Sequence, residues 1–241
     1  MRNLIGARRY LPAVLAVGAL LIIALIAIPL LVVHRGHTGA NPAAPAPTPS
    51  TSPAPIPSGA VTVVQGARLA DGIEVGYPHT TIGAISAASQ YLDAVASTLD
   101  PDYAASVMRA AGDPANSSLP SNLASSTVAL RAELRLPATG ILAPPTSFRT
   151  VAQMYQLHDV SADSALVLLL ASGTFTNAQG GIAQTTGVFP VRMNWTDGDW
   201  KLDHIGGSGQ DYSALEATPD TSSAVNQGWN ALIQPVGGDG S

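Results

Sequence analysis

Residues 11–33 read LPAVLAVGALLIIALIAIPLLVV, with no charged side chain and no strongly polar one. As a helix a run of that length is about 35 Å long, enough to cross a hydrocarbon core with some tilt. Pro12 sits at the entry, where a missing N–H costs little, and Pro29 kinks the helix near its outer end. The run predicts a transmembrane helix and ties the chain to a lipid bilayer. Arg2, Arg8 and Arg9 precede it and Arg35 follows it. That asymmetry puts residues 1–10 in the cytoplasm as a short stub and the bulk of the chain outside, in a single pass of the cell membrane. A cleaved signal peptide is the alternative reading of the same pattern. The apolar run is long for a signal core, and there is no cysteine for a lipoprotein anchor.

All sixteen acidic residues follow residue 37, against seven basic ones, so residues 38–241 carry a net charge of −9. An acidic outer part is a poor nucleic-acid binder, and no nucleic-acid partner is expected. Zero cysteines exclude disulfides and thiolate metal or redox sites.

Residues 38–59, TGANPAAPAPTPSTSPAPIPSG, space seven prolines with small residues. This composition favours an extended polyproline II stalk reaching about 60 Å. A globular domain is expected over 60–212. Val61–Val64 reads as a short strand. Ile82, Ile85, Ala88, Leu92, Val95 and Leu99 recur at helical spacing behind an N-cap at Thr80 or Thr81. Asp100-Pro101-Asp102 starts a second helix, which Gly112 and Pro114 stop. A third runs from about Ser121 to Leu136, with Leu123, Leu130 and Leu134 on its inner face. From residue 146 the period becomes two. Strands are expected at Phe148–His158, perturbed by a bulge, at Ala165–Phe175, near Thr185–Trp195 and at Trp200–Ile205. Asp197-Gly198 is a two-residue hairpin signal. It sets Trp195 opposite Trp200, Met193 opposite Leu202 and Val191 opposite His204, all on one face. The fold class is α+β: three helices packed on a curved antiparallel sheet. The tail, 213–241, rich in Gly, Ser and Asp, is expected to be loosely ordered.

This order of elements, with the closing hairpin NWTDGDWKL, resembles the nuclear-transport-factor-2-like (cystatin-like) superfamily over residues 80–205. The start GYPHTTIGAISAASQYL is similar to membrane-anchored proteins of actinobacterial type, some linked to conjugative elements. The plan of stub, anchor and outer domain resembles the inner-membrane scaffold subunit of type IV secretion and conjugation machines, and associated proteins of mycobacterial lipid-import complexes. The resemblance implies a non-enzymatic scaffold whose partners are other envelope proteins. It also implies two further readings: a binding module with a small apolar ligand in the cone of the sheet, and an isomerase or cyclase.

The ligand-pocket candidates are Met193, Trp195, Trp200, Leu202 and His204. Superfamily enzymes use an Asp, His or Tyr inside the cone, for which His204, Tyr155, His158 and Asp159 are the residues available. His158 and Asp159 are neighbours on a strand and point to opposite faces, so they cannot act as a pair. His79, His158 and His204 lack metal-ligand spacing. No catalytic residue, metal or cofactor is assigned. Leu166, Leu168 and Leu170 form an apolar row on the sheet's outer face, which predicts a homo-oligomer, or pairing with a related subunit, through that face.

Overall fold

The computed structural model describes residues 55–206 and 210–235. The apolar run at 11–33 and the stalk up to residue 54 lie outside the described residues. Among the described residues no helix is long and apolar enough to cross a membrane.

The chain runs β1 (Val61–Thr62), β2 (Arg68–Ala70), β3 (Ile73–Val75), α1 (Thr81–Ala96), α2 (Pro101–Ala111) and α3 (Leu119–Glu133). It continues through β4 (Ser147–His158), β5 (Ser164–Thr176), β6 (Ile182–Thr196) and β7 (Asp199–Ile205). A 3₁₀ turn at Ser213–Leu215, α4 (Ser222–Asn226) and β8 (Asn230–Ile233) complete it. Six strands form one sheet in the order β1-β8-β4-β5-β6-β7, and β2–β3 is a separate hairpin. The expected α+β layout of three helices followed by a long antiparallel meander is present.

The Thr80 hydroxyl caps α1 by accepting from Gly83 N at 3.0 Å. Gly83 is required there, because a Cβ would lie 2.0 Å from the Pro78 carbonyl oxygen. The helix buries Ala84, Ile85, Ala87, Ala88, Tyr91, Leu92 and Val95 against the inner face of the sheet. Its small residues allow that close approach. Asp100 caps α2, accepting from the amides of Asp102 and Tyr103. The third helix starts and ends two to three residues earlier than expected. Pro120 serves in its first turn, and Arg135 at φ 58° leaves helical geometry before Pro137 is reached.

The expected irregularity in β4 is a bulge between Ala152 and Met154. Asp93 of α1 reaches it and accepts the Ala152 amide at 2.8 Å. In the β6–β7 hairpin both turn residues have positive φ, 55° at Asp197 and 77° at Gly198. Trp195 pairs with Trp200 and Met193 with Leu202, as expected. The next pair does not follow. A bulge between Arg192 and Met193 sets His204 opposite Arg192 and Ile205 opposite Val191. One extra residue, Asp203, turns His204 away from the face that Leu202 occupies.

The tail differs most from expectation. Residues 212–233 fold against the outer face of the sheet, and β8 inserts between β1 and β4, parallel to the first and antiparallel to the second. Trp229 is 2% exposed and packs in a second apolar cluster with Met154, Leu166, Leu168, Leu170, Val188 and Ala224. The indole N–H of Trp229 donates to Leu215 O at 2.9 Å. The leucine row Leu166, Leu168, Leu170 is therefore a covered core layer, not an exposed patch, and it offers no free surface for pairing. The domain accordingly extends past residue 212 to Ile233.

Candidate functional site

The five ligand-pocket candidates separate into three environments. Met193, Trp200 and Leu202 are buried in the main core. Trp200 Nε1 donates to Pro78 O at 3.0 Å, which pins the loop leading into α1. Trp195 is half-buried. The His79 ring stacks on it at 4.0 Å with a 6° interplanar angle. His79 Nε2 in turn lies 2.9 Å from both Ala162 O and the Asp163 carboxylate. This stack ties the α1 entry loop to the β4–β5 turn. His204 stands apart, its Nδ1 3.0 Å from Asp203 Oδ2. That hydrogen bond holds the Asp203 carboxyl below its ordinary range.

The remaining polar candidates are also apart from one another. Tyr155 is buried and donates to Gly59 O at 2.8 Å. His158 meets Gln156, and Asp159 pairs with Arg192 at 3.2 Å. Beneath the hairpin, buried Asp199 accepts the Tyr77 amide and pairs with Lys201 at 3.0 Å. The hydroxyls of Tyr77 and Tyr91 are buried and find no partner among the described residues. Burial, reinforced by the Asp199 charge, pushes both phenols well above their ordinary range. Burial also pushes the Asp93 carboxyl up to about 7, against the opposing pull of the Ala152 amide and Arg149.

The residues do converge at a place that the sequence reading did not single out. A groove of about 530 Å³ lies between the α1–α2 junction, α3, the loop after α3 and the start of β4. Leu99 and Phe148 form its buried apolar lining, while Ile141 is fully exposed. Arg131, 3% exposed, is also part of the lining. Its guanidinium donates to the carbonyls of Leu99, Pro137 and Gly140. One cation thereby braces both walls of the groove. Among the described residues Arg131 pairs with no carboxylate, and Asp100 and Asp102 pair with no cation. Asp100-Pro101-Asp102 was legible as a helix start. Nothing in the sequence indicated that an arginine thirty residues later would brace a cleft beside it.

The position of the groove follows from strand directions. The described chain enters near Gly59, whose carbonyl meets Tyr155, and β1 runs antiparallel to β4 by way of β8. Entry is therefore at the His158 end of β4, and the groove is at its Ser147–Phe148 end. Seven residues of strand separate Tyr155 from Phe148, or about 20 Å.

Residues 60–226 match the family described as a domain of unknown function (DUF8175). No curated protein matches the chain. A similar solved structure is described as a calcium/calmodulin dependent protein kinase II association domain from Xanthomonas campestris. It is 13% identical with a TM-score of 0.33, covering 50% of this chain and 82% of the other. The chain belongs to the DUF8175 family.

Proposed function

We propose that this protein is a non-enzymatic scaffold of the cell envelope. Residues 11–33 hold it in a membrane, the proline-rich stalk lifts it off the surface, and the groove docks another envelope protein. The single observation that carries this reading is the groove's position, at the end of the sheet opposite the chain's entry. A domain tethered at Gly59 turns that end away from the bilayer. Docking is favoured over turnover because the ionisable side chains around the closing hairpin are engaged in structural pairs: His79 with Asp163, His204 with Asp203, Asp199 with Lys201. We assign the fold to the nuclear-transport-factor-2-like superfamily on its three helices and closing hairpin. We assign the assembly to a conjugation or secretion apparatus on the shared plan of stub, span and outer domain.

Two measurements in intact cells test this. Single cysteines at Arg2 and Ser50 are probed with a membrane-impermeant maleimide. Position 50 labels and position 2 does not; the reverse pattern, or recovery of a chain lacking its first forty residues, overturns the anchored topology. A photo-crosslinking residue at Ile141 forms one discrete envelope-protein adduct, whereas the same residue at Leu69, exposed on β2, forms none. Equal adducts from both positions remove the groove from the docking role.

A further inference from the structure

Resting on the docking reading, we propose that the groove takes a basic apolar peptide segment of a partner protein, in which a lysine or arginine stands among apolar residues. The shape, charge and framing of the groove each contribute. Its volume of about 530 Å³ is that of a site for a few side chains rather than a flat contact. Its apolar elements include Leu99 and Phe148 within, Leu142 and Pro101 beside them, and Ile141 at the rim, the last with its whole side chain in water. An isoleucine held in that state beside a cleft is ready to bury area on a partner.

The ionisable groups that line the cleft are Asp100, Asp102 and Arg131. Arg131 is spoken for: three backbone carbonyls take its N–H groups, and burial keeps it from a ligand. The amides at the start of α2 are likewise taken, since Asp100 Oδ1 accepts those of Asp102 and Tyr103. An anion entering the cleft would meet two carboxylates and, Arg131 being engaged, no free cation in the lining, while the hydroxyls of Thr98, Thr139, Thr146 and Ser147 donate or accept and favour neither sign. A cation would meet those carboxylates, both exposed and neither ion-paired among the described residues. Complementarity of this kind sets partner choice more than total affinity. Because the Arg131 brace holds both walls, the cleft exists before its partner arrives, which lowers the ordering cost of binding.

The full chain in phosphatidylcholine nanodiscs is titrated with three fluorescein-labelled octapeptides of alternating leucine and lysine, glutamine or glutamate, followed by anisotropy up to about 1 mM. The lysine peptide binds about tenfold more tightly than the glutamine peptide, and the glutamate peptide is weakest. Asp102→Asn reduces the lysine preference to below about threefold with unchanged circular dichroism, and Ile141→Ser weakens lysine and glutamine peptides alike. Equal binding of the three, a preference untouched by Asp102→Asn, or no binding at all overturns the proposal. If the adduct from Ile141 still forms in cells, the docking reading stands and only the partner's chemistry is wrong; if that adduct also fails, both fall together.

Discussion

Strand β5 is covered on both faces, but the two covers differ in kind. Its inner residues Ala165, Val167, Leu169 and Ala171 belong to the main core, which α1 and α2 share. That layer is large and carries polar groups: the hydroxyls of Tyr77 and Tyr91, which lack a partner among the described residues, and the raised carboxyl of Asp93. Its outer residues Leu166, Leu168 and Leu170 lie under a short, largely apolar cover whose buried donors are satisfied, the Trp229 indole by Leu215 O and the Gln156 amide by Gln227 O. The inner layer sets the shape of the sheet through Asp93 and the β4 bulge. The outer layer only seals it. Burial of a side chain therefore says how much it stabilises, while the polar atoms beside it say how that stability responds to conditions.

The largest effect expected is from removing the outer cover. A chain ending at residue 209 exposes the leucine row and the edge of β4 that β8 occupies. It should lose more than about 5 kcal/mol and aggregate, read by denaturant melts and light scattering. Residues 55–235 alone should keep a cooperative melt. If the shortened chain melts like the longer one, the outer layer is ornament and the two faces are not comparable.

Trp229→Ala on one face and Trp200→Ala on the other should each cost about 3–5 kcal/mol. The two lie on opposite sides of the sheet, so the double variant should add within about 0.5 kcal/mol. A larger coupling would mean that the layers fold as one unit. Trp195→Ala, at a half-buried ring stacked on His79, should cost about 1 kcal/mol.

Only the inner layer should respond to pH near neutrality. In the unfolded chain the Asp93 carboxyl ionises near 3.9, as aspartates do; in the fold it keeps its proton up to about 7. The stability it contributes is fully present below about pH 4 and is lost as pH rises through 7. Between pH 5 and 8 that loss should be on the order of 1–2 kcal/mol, and it should vanish in Asp93→Asn, whose amide oxygen still accepts from Ala152. A pH slope unchanged in that variant would put the titrating group elsewhere. The smallest effect is Tyr91→Phe, which removes an unpartnered hydroxyl and should raise stability by about 1 kcal/mol. A loss instead would show that the hydroxyl is bonded.

The inner layer was legible because periodicity reports it. Ile85, Ala88, Leu92 and Val95 repeat at helical spacing, and Asp197-Gly198 fixed the pairing of Trp195 with Trp200. The His204 register failed because a single-residue bulge leaves no trace in an apolar–polar pattern. The outer layer was missed because a 3₁₀ turn, a five-residue helix and a four-residue strand are too short to show a period. Trp229, Leu232 and the two-faced apolar run of β5 were the available signals, and they read as an exposed row only when the tail was set aside. The groove was illegible for a different reason: Arg131 acts through backbone carbonyls, which have no side-chain signature. The small hairpin of β2 and β3 turns on Asp71-Gly72, both at positive φ, the same dipeptide signal as the later hairpin but with strands of three residues.

Strand β1 is two residues long, and its sheet neighbour is β8, the last strand of the described chain. Any tension arriving along the chain ahead of Gly59 enters the domain at this strand. Because β1 starts at the end from which the chain comes, such a pull loads its bonds to β8 in shear, seconded by the Val64 amide on Ser86 and the Tyr155 hydroxyl on Gly59. The two ends of the described chain thus form a mechanical clasp. A domain pulled at β1 yields first where β8 lets go, so this late strand sets the force at which the domain would open.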